Sequence, residues 1–115
     1  MIDTVLAALS GLSVPACRAE GEPAALPCVA VSLVDDRAAG RCDGRDRLRR
    51  VTCQVDASAA DSEEALALSQ AAARVLTAPP YGYCRQVSYR RFDPVARVHT
   101  VSDRYAATLT LKEDF

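Results

Sequence analysis

The sequence predicts an α+β domain, an antiparallel or mixed four-stranded sheet built from two hairpins with two helices packed on one face. Two observations carry this. The extended segments come in consecutive pairs instead of alternating singly with helices, and an alanine-rich amphipathic run separates the pairs while a shorter one opens the chain. With 115 residues, half of them hydrophobic and a quarter charged, the chain fits one domain over 1–115. The two Phe, four Tyr and absent Trp mean a core of small side chains, and a chain of this size gains from burying surface against a partner.

Val5, Leu9 and Leu12 are spaced by four and three, predicting a helix from about Asp3 to Ser10, with Asp3 as N-cap and Gly11 as stop. Pro15, Gly21, Pro23 and Pro27 then predict an irregular, ordered loop. Cys28 to Val34 is nearly continuous in apolar and small residues, as a central strand covered on both faces requires. Asp35 to Asp46, with Gly40, Gly44 and many charges, reads as a long solvated connection. From Leu48 to Asp56, Val51, Cys53 and Val55 alternate with Arg50, Thr52, Gln54 and Asp56, a strand with one apolar face.

Asp61 followed by Glu64 forms a capping-box-like start that puts acids at the positive end of a helix dipole. The helix runs from about Ser62 to Leu76, with Ala65, Leu68, Ala72, Val75 and Leu76 as its buried stripe, and Pro79 and Pro80 end it. Two strands follow, about Arg85 to Phe92 with Val87 and Tyr89 on one face, and about Val98 to Leu111, separated by an Asp93-Pro94 turn. In the last strand Tyr105, Ala107, Leu109 and Leu111 form the apolar face.

Little of this supports catalysis. A Ser or Cys nucleophile needs a neighbouring base, and the single histidine, His99, sits in a strand without any nucleophile motif around it. Asp35 and Asp36 point apart on a strand end, and Glu63 and Glu64 are explained by the helix start. Cys17, Cys28, Cys42, Cys53 and Cys84 contain no CxxC pair, so reduced thiols are expected. Asp43 and Asp46 lack the rest of a calcium loop, and Gly40 and Gly44 do not lead into a helix as a phosphate loop does. No catalytic residue, metal or cofactor is therefore expected, and the chain reads as a non-enzyme. Met1 to Leu12 lacks the basic start of a signal peptide, and no segment is long enough to span a membrane, so no membrane partner is expected.

Thirteen of the 14 basic residues are Arg, against 15 acids, for a net charge of -1. Arg37, Arg41, Arg45, Arg47, Arg49 and Arg50 cluster, as do Arg85, Arg90 and Arg91. Asp35, Asp36, Asp43 and Asp46 interleave with the first cluster and no aromatic lies near it, which argues against nucleic-acid readout. A solvated loop or a protein contact remains.

Three stretches, LPCVAVSLVDD, RDRLRRVTCQVDASAADSEEALALSQAAARVL and RRFDPVARVHTVSDRYAATLTL, together resemble the tail-terminator (minor tail or tail-completion) family of long-tailed bacteriophages and phage-like gene transfer agents. The strand ending in QVD, the short linker and the alanine-rich helix are similar to that family's core, and the FDP turn with a long last strand to its C-terminal hairpin. The resemblance implies a homo-oligomeric ring, usually of six subunits, that caps the tail tube and joins it to the head-closure or connector protein, with DNA only passing through the channel. It implies a place at the tail–neck junction of a virion or phage-like particle assembled in the bacterial cytoplasm. It also points to Arg41, Arg45, Arg47 and Arg49, with Arg90 and Arg91, as contacts to ring neighbours or tube. A head-closure, neck or tail-completion adaptor of the same particle is the alternative, and a small enzyme or a nucleic-acid-binding module is weaker still.

Overall fold

The computed structural model describes residues 2–12, 14–18, 26–42 and 46–112, with 37–42, 46–48 and 109–112 described by their backbone. The elements run α1 (Ile2–Leu9), β1 (Ala16–Arg18), β2 (Cys28–Cys42), β3 (Asp46–Ala59), α2 (Ser62–Thr77), β4 (Cys84–Asp93) and β5 (Val98–Lys112). The sheet is mixed and five-stranded, in the order β1-β2-β3-β5-β4. All neighbours are antiparallel except the β1–β2 pair.

Alternation sets the two faces. Val29, Val31, Cys53, Val55 and Tyr105 point to one side, where they meet Val5 and Leu9 of α1 and Ala72 and Leu76 of α2 in a single buried cluster. Both helices thus cover one face, as the sequence predicted. α2 starts on Asp61, which sits in extended backbone and accepts a hydrogen bond from the Glu63 amide at 3.2 Å. This satisfies one of the free amides of the first turn, beside Glu63 and Glu64.

Four expectations are corrected. The sheet has five strands because Ala16–Arg18, in the proline-punctuated stretch, forms β1 against Val29–Val31, anchored by the Val29 amide on the Pro15 carbonyl at 2.9 Å. Three residues are too few to show a period, so the sequence could not announce it. The stretch read as a solvated loop from Asp35 is strand: β2 continues to Cys42 and β3 begins at Asp46, with register shifts between Leu33 and Asp35 and between Ala38 and Gly40. Its cross-strand pairs include Arg37 with Arg50 and Ala38 with Arg49, so this hairpin is built without the apolar alternation that marks a half-buried strand. The hairpin tip at 43–45 lies outside the described residues.

The other two corrections concern the helices. Asp3 lies within the first turn of α1 and pairs with Arg18 at 2.5 Å, so it braces α1 against β1 instead of capping the helix from outside. The buried stripe of α2 is Ala65, Ser69, Ala72 and Leu76, with Leu68 and Val75 only half-buried. A serine therefore sits fully inside the helix–sheet interface.

Candidate interface surfaces and the buried network behind them

β4 is the last strand of the sheet, and all ten of its residues are exposed. α2 lies over β3 and β5, so β4 projects past the cover. A strand at this position needs something else to hold it, and the structure supplies a charge network.

The network begins at a β-bulge. Arg85 opposes Tyr105 and Val87 opposes Arg104, so Gln86 is the extra residue, and Arg85 and Ser88 both come to the helix-facing side. Asp103, directly opposite Ser88, is 1% exposed. Its Oδ1 accepts from Arg85 Nε at 3.1 Å and from Nη2 at 2.7 Å, and its Oδ2 accepts from the Ser69 hydroxyl at 2.5 Å. Arg85 Nη2 also donates to Ser69 Oγ at 3.2 Å and Ser88 Oγ at 3.1 Å. Helix, edge strand and inner strand are thus tied at one carboxylate. A buried charge left without such partners costs several kcal/mol, so the network fixes where β4 sits.

Beside it, burial pushes the Tyr105 hydroxyl up to about 12, with the Asp103 charge adding to the shift and Arg85 opposing it. Burial likewise pushes the Cys53 thiol up to about 11. Cys28 is raised chiefly by burial too. Cys53 and Cys28 are thus held as thiols in the interior, far from the thiolate chemistry of a nucleophile.

The helix-free face is polar. Gln54 Oε1 accepts from Arg104 Nε at 3.3 Å and from the Tyr89 hydroxyl at 3.5 Å, while Gln54 Nε2 donates to Asp56 at 3.0 Å. Arg91 approaches Asp56 at 3.8 Å, and the Ser58 and Thr100 hydroxyls lie 3.0 Å apart. This layer runs across β3, β5 and β4 and is polar enough to face water or a hydrated neighbour. His99 sits across from Phe92, ring centroids 4.5 Å apart, as one member of a cross-strand pair. Among the described residues, no group of three or more His, Cys, Asp or Glu is placed to hold a metal ion.

The arginines singled out from sequence divide between two places. Arg49 lies on the extended hairpin, paired with Asp36 at 2.8 Å. Arg41 and Arg47 oppose each other on that hairpin's backbone, and Arg45 lies outside the described residues. Arg90 and Arg91 are exposed on β4. Sequence reasoning missed Arg85, Ser69 and Asp103. Two signals marked them: a serine on an otherwise apolar helical stripe, and an aspartate at the position between Val101 and Tyr105 on the apolar face of β5. It also passed over the exposure of Val87 (48%), Tyr89 (38%) and Phe92 (51%).

Solved structures share this arrangement of strands and helices. The fold is that of a chain in a gene transfer agent particle. That chain, from a structure described as the virion of the native gene transfer agent particle, superposes with a TM-score of 0.57 at 21% sequence identity, covering 95% of this chain and 87% of its own length. No protein-family model and no curated protein matches the sequence.

Proposed function

We propose that this chain is a structural subunit of a phage-like particle, a tail-terminator-type protein that forms a ring, of six copies by family resemblance, between tail tube and connector. The observation that carries the proposal is the fold shared with a gene transfer agent virion chain over 95% of this one. Two features of the molecule support it. β2, β3 and β5 continue together past the end of β4, with β3 paired to β5 as far as Asp46 and Lys112, giving the 52 × 25 × 23 Å body a three-stranded projecting element for a neighbour or a tube. An exposed strand edge with apolar side chains lies at the other end of the sheet order, as expected of a protein that functions in contact with other chains.

In this reading the work is assembly. The helix-covered core holds the sheet rigid, the edges and the projecting strands make the contacts, and the polar helix-free face lies against water or passing DNA without reading it. Deleting the gene in the producing cell tests this. The expected result is separate heads and tails that rejoin when purified protein is added, and intact particles without the protein would contradict it. Gold labelling of a tagged copy distinguishes a ring at the tail–neck junction from an adaptor on the head side.

A further inference from the structure

We infer that the outer half of β4, residues 89–93, together with the turn that follows it, is a strap that lifts off β5, while residues 84–88 stay clamped to the helix and the inner strand. The device belongs to the single chain and does not depend on ring formation.

The two halves of β4 are held differently. At the inner end Tyr83 is 8% exposed and its amide donates to the Leu76 carbonyl at 2.8 Å, which ties the entry to the strand onto α2. Arg85 then grips Asp103 and Ser69, and Ser88 Oγ accepts from the same guanidinium at 3.1 Å. The bulge at Gln86 puts Arg85 and Ser88 on one side, so the clamp reaches as far as Ser88. Past Ser88 this hold ends. Alternation turns Arg90 and Phe92 to the helix side, but an open cleft lined by Leu66, Gln70 and Arg90 lies between α2 and β4 there. Phe92 is 51% exposed, and its ring rests on His99 of the adjacent strand. On the other face Tyr89 reaches Gln54 at 3.5 Å and Arg91 approaches Asp56 at 3.8 Å, long contacts made by exposed side chains of β4. Contacts of this kind stabilise little.

A buried group beneath the strap favours its release. Ser102 lies opposite Tyr89 on β4 and Asp56 on β3, and Tyr89 and Arg91 cross over β5 to reach Gln54 and Asp56. Ser102 is 0% exposed, and its Oγ has no hydrogen-bond partner among the described residues. A buried hydroxyl left unpaired carries its desolvation cost, which water removes when the cover lifts. Closure therefore costs free energy at Ser102, and the outer half of β4 buries little apolar surface to offset it. Openings of this size are drawn from the least stable part of a fold. Lifting the strap leaves the edge of β5 from Val98 to Ser102 without its partner strand.

The test is residue-resolved hydrogen exchange on the full chain, read by NMR where exchange follows the opening equilibrium. Among amides that bond β4 to β5, those between 89–93 and 98–102 should show protection at least about a hundredfold lower than those between 84–88 and 103–106. Equal protection along the whole β4–β5 ladder overturns the strap. Ser102→Ala, which deletes the unpaired hydroxyl, should raise protection in the outer half about fivefold or more and leave the inner half within about twofold. Outer protection that stays the same or falls in this variant contradicts the part assigned to Ser102. Arg85→Ala should bring the inner half down to the protection of the outer half, whose own protection stays as it was. Both halves falling together would mean that β4 opens as one unit, and would overturn the boundary at Ser88.

Discussion

Arg85 Nη2 lies 2.7 Å from Asp103 Oδ1, joining a partly exposed guanidinium on an edge strand to a carboxylate that is 1% exposed beneath a helix. The two ends of this pair are not equivalent. Arg85→Ala strands a buried carboxylate and should cost roughly 2–4 kcal/mol, whereas Asp103→Ala leaves an arginine that water can reach and should cost about 1–2 kcal/mol. Ser69→Ala, which removes one hydroxyl from the network, should cost about 1 kcal/mol. Urea midpoints with unchanged slopes check all three, and hydrogen exchange should show β4 amides opening faster in Arg85→Ala.

The helix start and the core give a second comparison. Asp61→Ala removes the bond to the Glu63 amide and should lower stability by about 1 kcal/mol, with Asp61→Asn close to neutral. Leu76→Ala, at a fully buried position, should cost about 2–5 kcal/mol. Thermal melts of the three variants rank them.

Alkaline pH should destabilise the fold in a defined window. Cys53 is raised from 9.0 to about 11 and Tyr105 from 10.0 to about 12, both mainly by burial. Raised native values mean that the unfolded chain loses these protons first. Stability is therefore full below about pH 9 and falls through pH 11 to 12 as the unfolded state gains the advantage. Denaturant midpoints measured across this range should fall, and Cys53→Ala should remove the lower part of the decline.

The arginines should not make this a DNA-binding protein. Arg49 is paired with Asp36 and Arg91 lies beside Asp56, so much of the positive charge is met within the chain. Filter binding with duplex DNA should show weak, salt-sensitive association that is lost at physiological salt, and Arg49→Ala should change it little.

The parts of the fold legible in the sequence are those lying under the helices. Val51, Cys53 and Val55 alternate because one face of β3 is covered, and Asp61 announces α2 because free amides need an acceptor. The hairpin from Asp35 to Asp46 carried no such signal, since charged residues and Gly40 populate strands there without an apolar stripe. The network stayed hidden for another reason. Ser69, Arg85 and Asp103 are far apart in sequence, and only the bulge at Gln86 puts Arg85 on the side of Asp103. Arg90 and Arg91 stood out in the sequence as a pair of adjacent charges, but the edge position that exposes them depends on the strand order β1-β2-β3-β5-β4.

The proposed role, a ring at the end of a tail tube, can be tested directly. Its most direct test is electron microscopy of purified tail tubes incubated with the protein, combined with light scattering of the released assembly. A closed ring on one end of each tube, with a mass several times the 12.3 kDa of one chain, is the predicted result. A monomer that never associates with the tubes at any concentration contradicts it.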